Sequence, residues 1–294
     1  MTEFSMKFGH PLFLFAFLLL SLSQAREIRV ATSDLLGDYI EAPLLAYAAE
    51  NEFAFNIDSI GSLPALERLR ANEIDLAIIA VPEGTEVPRE EFSIYPFAYD
   101  AAIIVVNESN PIDEISLAYL GGIFGTNEEH RFNTWGDLGL RGWGSRSIKP
   151  LTGISENSIA LELFKFSVFS ADAMRPSVLA VKDDEVEELV RSDAASVAIL
   201  SRMPRSDNVK VLSVSASGDD EAIAFGPTAD NLHYGDYPIR LSFFIAYNAR
   251  DDEKLRGVIR FLLEEEVAES LIKNDLFALP DTVRRQLLFN LDFE

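Results

Sequence analysis

Three turns in the sequence set hydroxyl groups where helices begin. Ser33-Asp34 follows the first β-branched run, and Gly61-Ser62-Leu63-Pro64 follows the second, with Ser62 suited to the N-cap and Pro64 to the first helical position. Thr152-Gly153-Ile154-Ser155-Glu156-Asn157 precedes a third amphipathic stretch. The first N–H groups of a helix have no intrahelical acceptor, and the helix dipole adds partial positive charge at the same end. Turns of this kind hold small anions without a cationic side chain. Ser33, Asp34, Ser62, Thr152, Gly153, Ser155 and Asn157 are therefore the candidate ligand-binding residues.

Groups suited to other chemistry are scarce. There is no Cys, which excludes a disulfide framework, a thiolate nucleophile, Cys-ligated zinc and a lipidated cysteine. Beyond residue 25 the histidines are His130 and His233, far apart in sequence and outside any H-E-x-x-H pattern; both read as surface histidines, and no metal site is expected. The sequence contains no G-x-S-x-G, no G-x-x-x-x-G-K-[ST] and no G-x-G-x-x-G. The acidic runs Asp183-Asp184-Glu185 and Glu264–Glu266 read as solvated helix faces. No catalytic residue, no cofactor and no enzymatic activity are predicted.

The elements that must position the turns alternate. Glu27–Ala31, 53–60 and Asp75–Val81 read as strands, separated by helices over Asp38–Asn51 and Pro64–Ala71. A charged loop leads to the run Ala101–Asn107, taken as one central strand. Further on, helices are expected over Ser116–Gly121, Ser158–Phe169 and Asp184–Ser192, with strands near Ser147–Pro150 and over Ser196–Leu200. Residues 218–237 are rich in turn formers and read as irregular. A strand over Arg240–Tyr247 and helices over 253–265, 267–274 and 282–290 close the chain. Strands alternating with helices define an α/β protein with largely parallel sheets.

Composition narrows the partners. With 25 Lys+Arg against 48 Asp+Glu the formal net charge is -23, so nucleic acid is excluded as a partner. Lys7, the apolar run Pro11–Leu22 and the small residues Ser23 and Ala25 read as a cleavable signal peptide over residues 1–25, shorter in its apolar core than a membrane span. A periplasmic or secreted location follows.

Several segments resemble the substrate-binding proteins of ABC-type phosphate transporters, within the type 2 periplasmic binding fold. NIDSIGSLPALERLRANEIDLAIIAVP (56–82) is similar to that family's strand, Gly-Ser turn, helix and strand. AAIIVVNESNPIDEISLAYLGGIFGTNEEHRFNTWGDLG (101–139) carries its crossover strand and the NP…W-x-DLG stretch, the most specific part. YPIRLSFFIAYN (237–248) and FLLEEEVAESLIKNDLFALP (261–280) match its return strand and C-terminal helices. The resemblance implies two α/β lobes joined by two crossing hinge strands, 101–107 and 240–247. One lobe would comprise 26–102 with 243–294 and the other 103–242. It further implies a monomeric solute-binding protein that takes phosphate or another small anion between its lobes and delivers it to an ABC permease of the inner membrane.

The ligand positions depart from that pattern. Where the family carries an Asp before the Pro ending its third strand, this chain reads Ile79-Ala80-Val81-Pro82, and the Arg-containing segment reads Lys149-Pro150-Leu151-Thr152-Gly153-Ile154-Ser155-Glu156. Lys149 or Arg146 would have to stand in for the arginine, and Lys offers a point charge instead of a fork. Weak phosphate binding is expected. The alternative is an interaction or sensory module that keeps the fold and has lost phosphate binding.

Overall fold

The computed structural model describes residues 26–293, apart from 52, 127–130, 155–157, 170–172 and 219–221. In chain order the first part contains β1 (Arg26–Thr32), α1 (Gly37–Asn51), β2 (Phe53–Ser59), α2 (Ser62–Arg70), β3 (Leu76–Pro82), β4 (Ser93–Ala101) and β5 (Ile103–Asn107). The middle adds β6 (Glu114–Ser116), α3 (Leu117–Phe124), β7 (Lys149–Ile154), α4 (Ala160–Val168), β8 (Leu179–Lys182), α5 (Asp183–Ser192), β9 (Ser196–Leu200), β10 (Val209–Val211) and β11 (Ser213–Ser215). Then follow α6 (Ala229–Tyr234), β12 (Arg240–Tyr247), α7 (Asp252–Leu262), α8 (Glu265–Lys273), β13 (Phe277–Ala278) and α9 (Asp281–Phe293).

Two sheets carry the architecture. The first has the order β13-β4-β12-β3-β1-β2, and the second β10-β5-β9-β7-β8; β11 and β6 form a separate pair. In the first sheet β2, β1 and β3 run parallel, while β12 lies antiparallel between β3 and β4. In the second, β8, β7 and β9 run parallel and β5 is antiparallel to β9. The central strands LAIIAVP, IIVVN and SVAIL are apolar almost throughout because helices cover both faces, and nearly every residue in them is buried.

The run 101–107 is two strands' worth of structure. β4 ends at Ala101 and β5 begins at Ile103, so the chain leaves the first sheet for the second at Ala102. The return is fastened to the same point: Ala102 N–H donates to Ile239 O at 3.1 Å, and the Tyr237 hydroxyl donates to Ala102 O at 2.7 Å. β12 itself pairs along its whole length within the first sheet. β4 occupies part of the stretch expected as a charged loop. Pro96 is accommodated beside a register shift between Phe243 and Phe244 of β12, a bulge at which a missing N–H is tolerated.

Other differences have local causes. The strand expected near Ser147–Pro150 continues to Ile154, since β-branched Thr152 pairs with both β8 and β9 and Ile154 pairs with β8. Within the expected irregular stretch 218–237, α6 forms because Thr228 accepts the N–H of Asn231 and Gly235 closes the helix at φ 85°. The W-x-DLG stretch is a structural device: Thr134 and Asp137 form a reciprocal capping box around Trp135–Leu138, and buried Trp135 donates its indole N–H to Ala195 O at 3.1 Å. Among the described residues no helix is long and apolar enough to cross a membrane; the expected signal peptide, residues 1–25, lies outside them.

Candidate anion-binding site

In the first sheet the carboxyl ends of β1 and β2 meet the starts of α1 and α2. Thr32 O accepts the N–H groups of Ile60 at 3.2 Å and Gly61 at 3.1 Å, drawing the β2–α2 turn onto the end of β1. The Thr32 and Ser59 hydroxyls lie 3.2 Å apart. Ser33 is buried; its N–H donates to Ile78 O at 2.7 Å and its Oγ accepts the N–H of Leu35 at 3.3 Å. α1 can approach this closely because residue 37 is glycine: a Cβ there would sit 1.8 Å from Ser59 Oγ.

Ser62 occupies a different position from the one the sequence suggests. Gly61, at φ 88°, is the N-cap of α2, and no side chain caps it. Ser62 is the first helical residue, and its Oγ accepts the N–H of Ala80 at 2.8 Å, leaving its own O–H available to donate. Pro64 therefore falls two positions further in. The N–H groups of Ser62 and Leu63 have no intrahelical acceptor. The first turn of α2 contains no acid, whereas that of α1 contains Asp38 and follows exposed Asp34. Asp34 and Asp38 already answer the positive end of α1, so α2 is the better seat for an anion. Ala80 and Val81 at the end of β3 provide no carboxylate, as read from the sequence.

The second sheet brings fewer of the predicted groups to its carboxyl edge. Thr152 is buried within β7 and its hydroxyl donates to Gly153 O at 3.2 Å, so it belongs to a strand and not to a helix-capping turn. Gly153 lies under Asp183, whose Oδ1 is 1.6 Å from where a Cβ would stand. Asp183 is buried; its Oδ2 accepts from the backbone N–H and the hydroxyl of Ser201. The reading of Asp183-Asp184-Glu185 as a wholly solvated face is thereby corrected, because α5 packs its first residue onto the sheet. Ser155 and Asn157 lie outside the described residues.

Lys149 is also corrected as a site residue. It opens β7 at the amino end and pairs with Asp193, and five strand residues of about 3.3 Å each separate it from the carboxyl edge at Ile154. Arg146 stacks over the Trp143 ring at 4.1 Å. Neither supplies a cation to the ligand edge.

Two ionisable features went unread in the sequence. Asp100, at the end of β4 beside the Ala102 crossing, is buried and accepts the N–H of Ala101 at 2.8 Å; burial pushes its carboxyl up to about 7. The Tyr39 phenol of α1 is raised by its own burial and then by the charge of Asp100. On the other side of the same strand Tyr99 Oη lies 2.8 Å from Nδ1 of His233 on α6. His233 is partly buried, not a surface histidine, and burial, with help from Arg240, lowers its basicity. His130 lies outside the described residues. Among those residues no cluster of His, Asp and Glu could hold a metal.

A profile of the PBP superfamily domain matches residues 21–266, and the chain belongs to that superfamily. Protein SphX of Synechococcus elongatus is 26% identical over 216 residues, covering 69% of this chain and 63% of that protein, so the match spans less than two thirds of the relative. Among solved structures, a possible phosphate binding protein from Planctomyces limnophilus superposes with a TM-score of 0.67 at 17% identity, covering 92% of this chain and 99% of that one. PstS from Borrelia burgdorferi gives a TM-score of 0.67 at 17% identity, with 87% and 99% coverage. An ABC-type phosphate transport receptor from Vibrio cholerae gives 0.59 at 19%, with 86% and 100% coverage. The fold is that of the type 2 periplasmic binding proteins, with two α/β lobes.

Proposed function

We propose that the protein is an exported solute-binding protein that captures a small anion between its lobes and presents it to an ABC permease, acting as a monomer and without catalysis. The observation that carries this reading is the uncapped, acid-free start of α2, where the Ser62 hydroxyl and the N–H groups of Ser62 and Leu63 follow a turn that Gly61 ties to Thr32 O at the end of β1. The phosphate-binding descriptions attached to similar proteins support an oxyanion as ligand. The lobes follow the sheets: residues 26–101 with 240–293 form one and 103–236 the other, with Ala102 and 237–239 as the crossings. The sequence-based boundary between 242 and 243 falls inside β12. Ligand that touches both lobes favours the closed arrangement, a population shift and not a reaction.

The positions of Lys149, paired with Asp193 at the amino end of β7, and of Arg146, stacked on Trp143, favour the competing reading, a module that binds no anion. Calorimetry with phosphate, sulfate and organic anions decides between them. Saturable heat with any of these supports the binding protein, and silence across the whole series overturns it in favour of the module.

A further inference from the structure

Ser62 does more than accept the N–H of Ala80. Together with Ala80 it also lines a cavity of about 860 Å³ between α2, the carboxyl end of β3 and the loop that leads to β4. Its walls are apolar: Leu63 and Leu66 from α2, Ile79 and Val81 from β3, Val87 and Pro88 from the loop. Leu63, at the mouth, is 76% exposed. The volume falls within the range of about 300–1,000 Å³ typical of small-molecule sites, and protein interiors seldom leave such a space between packed elements.

The loop is fastened in a way that keeps the space open. Arg70 on α2 grips Glu91 with two hydrogen bonds of 2.6 and 2.9 Å, setting one end of the loop at a fixed distance from the helix. Arg89 donates to Ile94 O at 3.4 Å and lies 5.9 Å from the Phe244 ring centre, which holds the loop against the sheet. Glu86 and Glu90, which also line the cavity, are exposed, and the charged lining residues Arg70, Glu91 and Arg89 are engaged in the contacts above, so most of the remaining lining is aliphatic. A hydrated inorganic ion gains nothing from such walls. An apolar group attached to an anion does, because it leaves water as it enters.

We propose that the ligand is an organic anion, with its oxyanion head at Ser62 and the start of α2 and its apolar body in this cavity. The inference rests on the anion site proposed above and names the class of molecule that site takes. Inorganic phosphate would occupy the head position alone.

The test compares inorganic phosphate with 1-naphthyl phosphate by calorimetry on the protein and on two variants that fill the cavity from the loop, Val87→Trp and Thr85→Trp. Naphthyl phosphate should bind roughly 10- to 100-fold more tightly than phosphate, the gain expected from burying on the order of 100 Å² of apolar surface. Either Trp variant should remove that advantage and leave phosphate affinity unchanged; Thr85, at an exposed loop position, serves if Val87→Trp fails to fold. Phosphate binding with no gain from the naphthyl group overturns the inference and leaves the anion site standing. A naphthyl gain that survives both Trp variants overturns it as well, since the body then sits elsewhere. Binding of neither probe overturns the anion site and this inference together.

Discussion

The hydroxyl of Ser62 accepts the backbone N–H of Ala80 at 2.8 Å, joining the first turn of α2 to the carboxyl end of β3. One oxygen thus serves the fold as acceptor and keeps a proton to offer a ligand. Ser62→Ala leaves the Ala80 N–H without its partner, which costs about 1–2 kcal/mol of stability, and lowers anion affinity about tenfold. Ser62→Thr keeps both functions and should restore affinity. Urea unfolding and calorimetry on the three proteins check this; an Ala variant that binds anions as well as the parent would remove Ser62 from the site.

Gly37 and Ser59 form the second contact on which the site depends. A Cβ at residue 37 would lie 1.8 Å from Ser59 Oγ and 2.9 Å from Ser59 Cβ. Rotating the serine relieves only the first of these. Gly37→Ala should therefore destabilise by about 1–3 kcal/mol as α1 is pushed off the end of β2. Pairing it with Ser59→Gly should recover more of the loss than pairing it with Ser59→Ala, because only glycine removes both clashing atoms. Denaturant midpoints for the single and double variants measure the difference.

The two turns of the first sheet were legible in the sequence because each is local: a β-branched run, a Gly or Ser, then helical spacing. The second sheet was harder. Thr152 and Gly153 read as a turn since glycine commonly marks one, yet the strand continues through Gly153 because Asp183 from α5 fills the space above it. That contact spans thirty residues and leaves no local trace. Lys149 was placed by analogy with a motif, and only strand direction reveals that it stands at the far end of β7. Asp100 and His233 were unreadable for a similar reason: burial by distant elements gives each its character, and sequence spacing does not encode burial.

Tyr99 and His233 should give the protein a pH response on the acid side. The neutral imidazole is the form favoured by burial, so His233 titrates below its ordinary value. Its contribution to stability is present above the unfolded pKa near 6.5 and is lost as pH falls through the lower folded value. Arg240 and Asp230 are the charged groups that act on it, the first lowering and the second raising its basicity. Tyr99→Phe deletes the bond to Nδ1 and should cost about 1 kcal/mol at pH 8, with a smaller loss at a pH below the folded pKa of His233, where the protonated ring has no acceptor at Nδ1. An NMR titration of His233 locates the folded pKa, and an equal loss at both pH values would show that the bond contributes nothing to the response.

Asp100 acts in the opposite sense. Burial raises its carboxyl from 3.8 to about 7, opposed by the bond from the N–H of Ala101. The folded chain therefore holds a proton that the unfolded chain has released between about pH 4 and 7. Stability from this group is full below the unfolded pKa and declines as pH rises through the folded one, by on the order of 4 kcal/mol in all. Asp100→Asn keeps the shape and an acceptor for Ala101 while removing the ionisation, so relative to the parent its stability should rise by on the order of 4 kcal/mol between pH 4 and 8, from about 1–3 kcal/mol below the parent near pH 4, the cost of burying the new amide N–H groups, to about 1–3 kcal/mol above it at pH 8. Because Asp100 stands next to Ala102, where the chain passes from the first sheet to the second, its charged form should loosen that crossing, and the parent should show faster amide exchange at Ala101 and Ala102 at pH 8 than the variant. Identical stability profiles from pH 4 to 8 would mean that Asp100 reaches water and is not the buried acid the crossing encloses.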